Sequence, residues 1–206
     1  MFRLFNALLL VVSIPLQDRP SSGLASPAPI YRIRLRVHNG QSTMPLDDLR
    51  ETLSEMNFIW WSQAGLCFEI TTTNETVRAR EGFDLWFVPE VPDPAGVNGV
   101  YKGDHDIWSR DYPNLRPAPN PVTHRAARTS AHELGHALGL VHYNEFPDSP
   151  DSLMASGTLG WRLHDFQILG ARARARQKAN PDTTQAQCTA PPTFSDDLIT
   201  KQENPQ

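Results

Sequence analysis

The sequence predicts an α+β domain: a twisted, mixed sheet of about five strands, a helix carrying a histidine-rich window, and a C-terminal helix. Three observations lead there. Residues 31–37 alternate strictly between apolar and arginine. Residues 45–65 place apolar side chains at three- and four-residue steps. The remainder runs as short strand-like segments followed by two helical stretches, with no internal repeat.

Along the first segment, Tyr31, Ile33, Leu35 and Val37 share one face and Arg32, Arg34 and Arg36 the other. That is the period of a half-buried strand whose arginine row faces solvent. Leu46, Leu49, Leu53, Met56 and Trp60 then define an amphipathic helix of about five turns. Pro45 and two aspartates suit its start and Gly65 its end. Residues 66–72 alternate again with Leu66, Phe68 and Ile70 inward, which turns Cys67 to the opposite face. Residues 84–88 read as a third strand. Residues 96–103 and 105–109 are weaker strands, the first loosened by its glycines. A proline-punctuated loop over 110–120 ends in Asn120-Pro121, the cap and first residue of a helix reaching about Leu138. A loop over 144–152 follows, then "LMASGTLGW", then a final helix from His164 to Lys178.

A chain of 206 residues, 39% hydrophobic and 20% charged, fits one globular domain. Its formal charge of −4 offers no basis for a nucleic-acid partner, and the basic run 171–178 suits the C-terminal end of a helix. Residues 1–25 read as a secretory signal: Arg3, an apolar run from Leu4 to Ile14, then Gly23 and Ala25 near a cleavage point. The run is shorter than the roughly 20 residues a spanning helix needs, so no membrane association is expected after its removal. The expected organisation is therefore a signal over 1–25, a monomeric extracellular domain over 26–180 and a tail over 181–206. The two cysteines, Cys67 and Cys188, read as a disulfide pinning that tail in an oxidising compartment, or as two thiols, since spacing alone does not bring them together.

The chemistry concentrates in "SAHELGHALGLVH", residues 130–142. His132 and His136, four apart on a helix, lie about 40° apart around the axis and about 6 Å apart along it. Both imidazoles can reach one ion at about 2.0–2.1 Å. Glu133 projects beside them, next to a metal-bound water, in the H-E-x-x-H arrangement. On a continued helix His142 would lie about 9 Å beyond His136, so the chain must leave the helix and fold back. Gly139 stands at that break, where a positive φ is needed. Three neutral imidazoles leave zinc an open fourth position, as in catalytic sites, with Glu133 as general base for the attacking water. The other reading of Glu133 is a capping box with Ser130.

The run His132-Glu133-x-x-His136-x-x-Gly139-x-x-His142 resembles the extended zinc motif of the metzincin metallopeptidases. Residues 152–156, "SLMAS", resemble their Met-turn, with Met154 beneath the metal. The resemblance implies a zinc-dependent endopeptidase with one catalytic zinc and a peptide or protein substrate. It implies that the peptide lies extended along an edge strand, for which 96–101 is the candidate. The segment with Gly157, Leu159, Gly160 and Trp161 would wall the pocket, although Trp161 reads as core as well. Tyr143 and Ser156 differ from the residues found there in several metzincin families, so no subfamily is assigned. Two rivals stand: an amidase acting on cell-wall or other non-peptide amides, and a binding module that keeps zinc without turnover. Asp104, His105 and Asp106 read as a solvated turn or as ligands of a second zinc or calcium; Asp148 and Asp151 read as loop or calcium ligands. His38, His124 and His164 read as surface or capping residues.

Overall fold

The computed structural model describes residues 30–78, 81–115, 122–144, 151–157, 160–178, 181–182 and 188. The expected signal over 1–25, the cap at Asn120-Pro121, Asp148, Leu159 and most of the 181–206 tail lie outside these described residues. The elements are β1 (Ile30–His38), α1 (Leu46–Ala64), β2 (Leu66–Thr73), β3 (Phe83–Val88), β4 (Gly99–Gly103), β5 (Asp106–Arg110), α2 (Arg125–Ala137), α3 (Asp165–Lys178) and β6 (Pro181–Asp182).

Alternation in β1 buries Ile33, Leu35 and Val37 on one face. β1 pairs in parallel with β2 on one side and β3 on the other, and β3 pairs in parallel with β5. β4 runs antiparallel to β5, so the order is β2-β1-β3-β5-β4 with β4 at one edge, and β6 pairs antiparallel with the start of β1. The result is a mixed sheet with three helices, an α+β fold. Leu49, Leu53, Met56, Ile59 and Trp60 of α1 and Ala127, Ala131 and Leu134 of α2 are fully buried in one core with the sheet. Each large apolar side chain removed from water there contributes about 1.5–3 kcal/mol. On the opposite face of β1, Arg34 pairs with Glu81 at 2.7 Å and Arg36 donates to the Val77 carbonyl at 2.9 Å.

Several expectations change. α2 starts at Arg125, not at Pro121, and His124 before it makes no side-chain cap. Its N-terminal cap comes from another helix: the Glu55 carboxylate of α1 accepts the N–H groups of Thr123 at 3.1 Å and His124 at 2.7 Å, plus the Thr123 hydroxyl at 2.8 Å. Ser130 lies inside the helix and donates to the Ala126 carbonyl at 2.8 Å, so it forms no capping box with Glu133. His38 is buried, not superficial, with Nε2 2.7 Å from the Asp84 carboxylate and its ring stacked 3.6 Å from Trp86. Asp104 and His105, at φ 41° and 76°, form the two-residue turn between β4 and β5, the mirror-image turn that suits hairpin twist. Cys67 and Cys188 form a disulfide with Cα atoms 5.5 Å apart, tying residue 188 to β2. No described helix is long and apolar enough to cross a membrane.

Burial raises the Glu55 pKa, but the hydrogen bonds from His124 and Thr123 outweigh it and hold the carboxyl below its ordinary 4.5. A depressed carboxyl stabilises the fold above its unfolded pKa and loses that contribution as pH falls through the folded value. Glu55→Ala is therefore expected to cost about 1–2 kcal/mol at pH 7, the scale of a lost N-cap. The gap between parent and variant in urea denaturation should narrow well below pH 4.5. For the disulfide, with a sequence separation of 121, reduction should remove stability of about 4–5 kcal/mol. A non-reducing digest should recover the Cys67 and Cys188 peptides linked.

Candidate metal centre

α2 carries His132, Glu133 and His136, with Thr129 and Glu133 against Gly99 of β4, and it ends in a Schellman arrangement. Leu140 N–H bonds the Gly135 carbonyl and Gly139 N–H the His136 carbonyl, each at 2.9 Å, with Gly139 at φ 83°. A residue with a Cβ resists that φ, and the reversal is what returns His142 to the helix. The Nε2 atoms of His132 and His142 are 3.0 Å apart, and that of His136 is 3.1 Å from each. Among the described residues these three form the one cluster able to hold a metal ion.

The donor set fits a cation. His132 Nδ1 lies 2.6 Å from the Leu153 carbonyl and His136 Nδ1 2.8 Å from the Leu140 carbonyl. A carbonyl can only accept, so both Nδ1 atoms carry the proton and both Nε2 atoms present lone pairs. Two lone pairs 3.1 Å apart make no hydrogen bond; a shared positive ion reconciles them. Three nitrogens at about 2.0–2.1 Å from one tetrahedral ion stand roughly 3.3–3.4 Å apart, within a few tenths of an ångström of the triangle found here. Burial, with the neighbouring imidazoles adding to it, pushes the His132 pKa down to about 4, against the opposing Leu153 carbonyl. His136 is lowered too, by burial first, against the Leu140 carbonyl. Both rings are thus neutral at pH 7, the form that binds metal.

Glu133 is buried beside them, and burial pushes its pKa up to about 7 against the Tyr101 backbone N–H, which donates to it. The edge strand comes this close because residue 99 is glycine. A Cβ there would lie 2.7 Å from Thr129 Cγ2 and 2.8 Å from Glu133 Cγ. Below the cluster, Met154 is fully buried, its sulfur against Gly135, where any Cβ would overlap it. Tyr143 N–H bonds the Met154 carbonyl at 2.9 Å, and the Asn144 amide clasps Ser156 at 2.8 and 2.9 Å. These ties fasten the chain after His142 to the Met154 turn.

Trp161 lies elsewhere: its ring is 6.2 Å from Phe58 of α1, and Gln63 donates to its carbonyl at 2.9 Å. Gly157 is exposed at φ 92°, and Gly160 is buried against the Asp151 backbone. Asp104, His105, Asp106 and Asp151 belong to no cluster of metal-binding side chains among the described residues. Sequence reasoning passed over the Leu153 and Leu140 carbonyls, the Tyr101 N–H, Gly99 and Gly135. Of these, Gly135 left a signal, since glycine inside a helix costs about 1 kcal/mol against alanine and so marks close packing. No protein-family model and no curated protein matches this chain.

His142 is exposed, so His142→Ala should leave the thermal melt nearly unchanged while removing one of three protein donors. Metal affinity, read by competition with a chelator, should fall by more than the about 10–100-fold typical of losing an outer-shell partner. Gly135→Val should fall within that smaller range by displacing Met154, with an overpacking cost of about 1–3 kcal/mol. Unchanged affinity in His142→Ala would remove it from the ligand set.

Proposed function

We propose that this chain is an exported, zinc-dependent endopeptidase of metzincin type. The observation that carries the reading is the joint placement of three converging imidazoles and a buried carboxylate under the edge strand β4. Imidazole donors suit several transition metals; the motif and the open coordination position favour zinc. Zinc, when bound, supplies a positive charge that polarises a carbonyl and acidifies a water to a pKa of about 7. His132, His136 and His142 hold it, and the Leu153 and Leu140 carbonyls fix two of the rings in the ligating tautomer. Glu133 takes the proton of the attacking water and passes it to the departing amine. The Tyr101 N–H keeps that carboxylate aimed into the site. Among the described residues β4 offers an unpaired edge on which an extended peptide can add as a further strand, a mode that reads main chain more than side chain. A module that merely stores zinc has no use for a buried carboxylate in that position.

Glu133→Ala should retain zinc and fold while losing about 10²–10⁴-fold in turnover of an unfolded protein substrate. Cleavage of that substrate by the zinc-loaded parent, abolished by chelation and restored by zinc, is the supporting result. Turnover of cell-wall amides without peptide cleavage would make the chain an amidase instead. Near-parental turnover by Glu133→Ala would overturn the mechanism.

A further inference from the structure

Beside His136 lies an open surface recess of about 530 Å³, lined by Tyr101 of β4, His136 and Gly139 at the end of α2, and Ala173, Arg174 and Gln177 of α3. It is open at Gly139, where an added Cβ would meet nothing within 4 Å. No described residue lining it is acidic. The cationic group at its wall is Arg174, whose guanidinium donates to the neutral Gln177 amide at 2.9 Å. Among the described residues no carboxylate pairs with it. Its neighbour Arg172 is committed elsewhere, donating to the Ala64 carbonyl at 2.6 Å and lying over the Tyr31 ring at 4.9 Å. The Arg174 charge is also felt by Lys178, whose pKa is lowered by burial first and by Arg174 second. A positive, acid-free recess thus borders the ligand His136 in a chain whose formal charge is −4.

The recess adjoins the reacting groups: Tyr101, whose backbone N–H donates to Glu133, also borders it, as does His136. A peptide laid along this edge advances about 3.3 Å per residue. On that spacing, a residue within about three positions of the scissile bond is the one whose side chain would face the recess that Arg174 lines. We propose that the recess is a subsite for an acidic side chain of the peptide and that Arg174 is the residue selecting it, a statement that rests on the endopeptidase reading. A planar guanidinium offers a carboxylate two parallel hydrogen bonds, which an amide isostere cannot match in charge.

The test separates this proposal from the reading beneath it. Zinc-loaded Glu133→Gln protein is titrated with fluorescent, C-terminally amidated peptides that differ only by Glu or Gln at each of three positions on either side of the central bond. One Glu position should bind roughly five- to twentyfold more tightly than its Gln partner. That preference should vanish when Arg174→Gln is added and reverse to favour Gln over Glu when Arg174→Glu is added. Equal binding of every pair, or a Glu preference that survives Arg174→Gln, overturns the subsite. Cleavage by the parent is followed separately on the Gln series and on unfolded protein. No cleavage of either sinks the endopeptidase reading, while an Arg174-dependent Glu preference in binding still upholds the subsite.

Discussion

The Nε2 lone pairs of His132 and His136 face each other at 3.1 Å and repel unless a cation sits between them, and most of the site follows from holding them there, with His142 Nε2 3.0–3.1 Å from both. The protein supplies the restraint from its main chain. Carbonyls of Leu153 and Leu140 take the Nδ1 protons of His132 and His136, so neither ring can turn over to relieve the repulsion without giving up a hydrogen bond. Leaving a buried N–H unmet costs about 1–3 kcal/mol, which makes the crowded arrangement the better of two poor choices before any ion arrives. An ion bound there would gain from geometry already assembled during folding.

Close approach of backbone is the second requirement, and three glycines permit it in different ways. Gly99 lets β4 lie against Glu133, and Gly135 makes room for the Met154 sulfur. Gly139 supplies a backbone angle instead of a space, at φ 83° with nothing near its missing side chain. The sheet order then gives meaning to these contacts. Because β4 is the terminal strand among the described residues and antiparallel to β5, the strand nearest the carboxylate is also one with no further strand paired to its outer side there.

What could be read from the residues alone follows how local each cause is. β1, α1 and β2 announce themselves by period, and His132, His136 and His142 by helical spacing with a break at Gly139, all within a few residues. The start of α2 was misplaced because its cap is Glu55, 68 and 69 residues away in the chain. His38 looked superficial because its partner Asp84 is 46 residues distant. The carbonyls that orient the ligands bear no residue-type signature, since every residue has one. β4 looked weak because glycine lowers strand propensity, yet the same glycine is what brings the strand to Glu133.

The short turn over residues 152–156 is tied to both ends of the histidine cluster. Leu153 holds the His132 ring through its carbonyl, Met154 packs under Gly135, and Met154 also anchors Tyr143 next to His142. The turn in turn hangs on a two-bond bridge, Leu153 N–H to the Arg162 carbonyl and Arg162 N–H to the Asp151 carbonyl, each 2.7 Å. Arg162 lies three residues before α3, which packs on α1 and β1. His132 and His142, far apart in how the chain makes them, are thus geared to one rocker whose pivot lies outside the centre. A shift at that pivot would detune both at once, so the stiffness of the site is set by a stretch of chain that contributes no ligand to it.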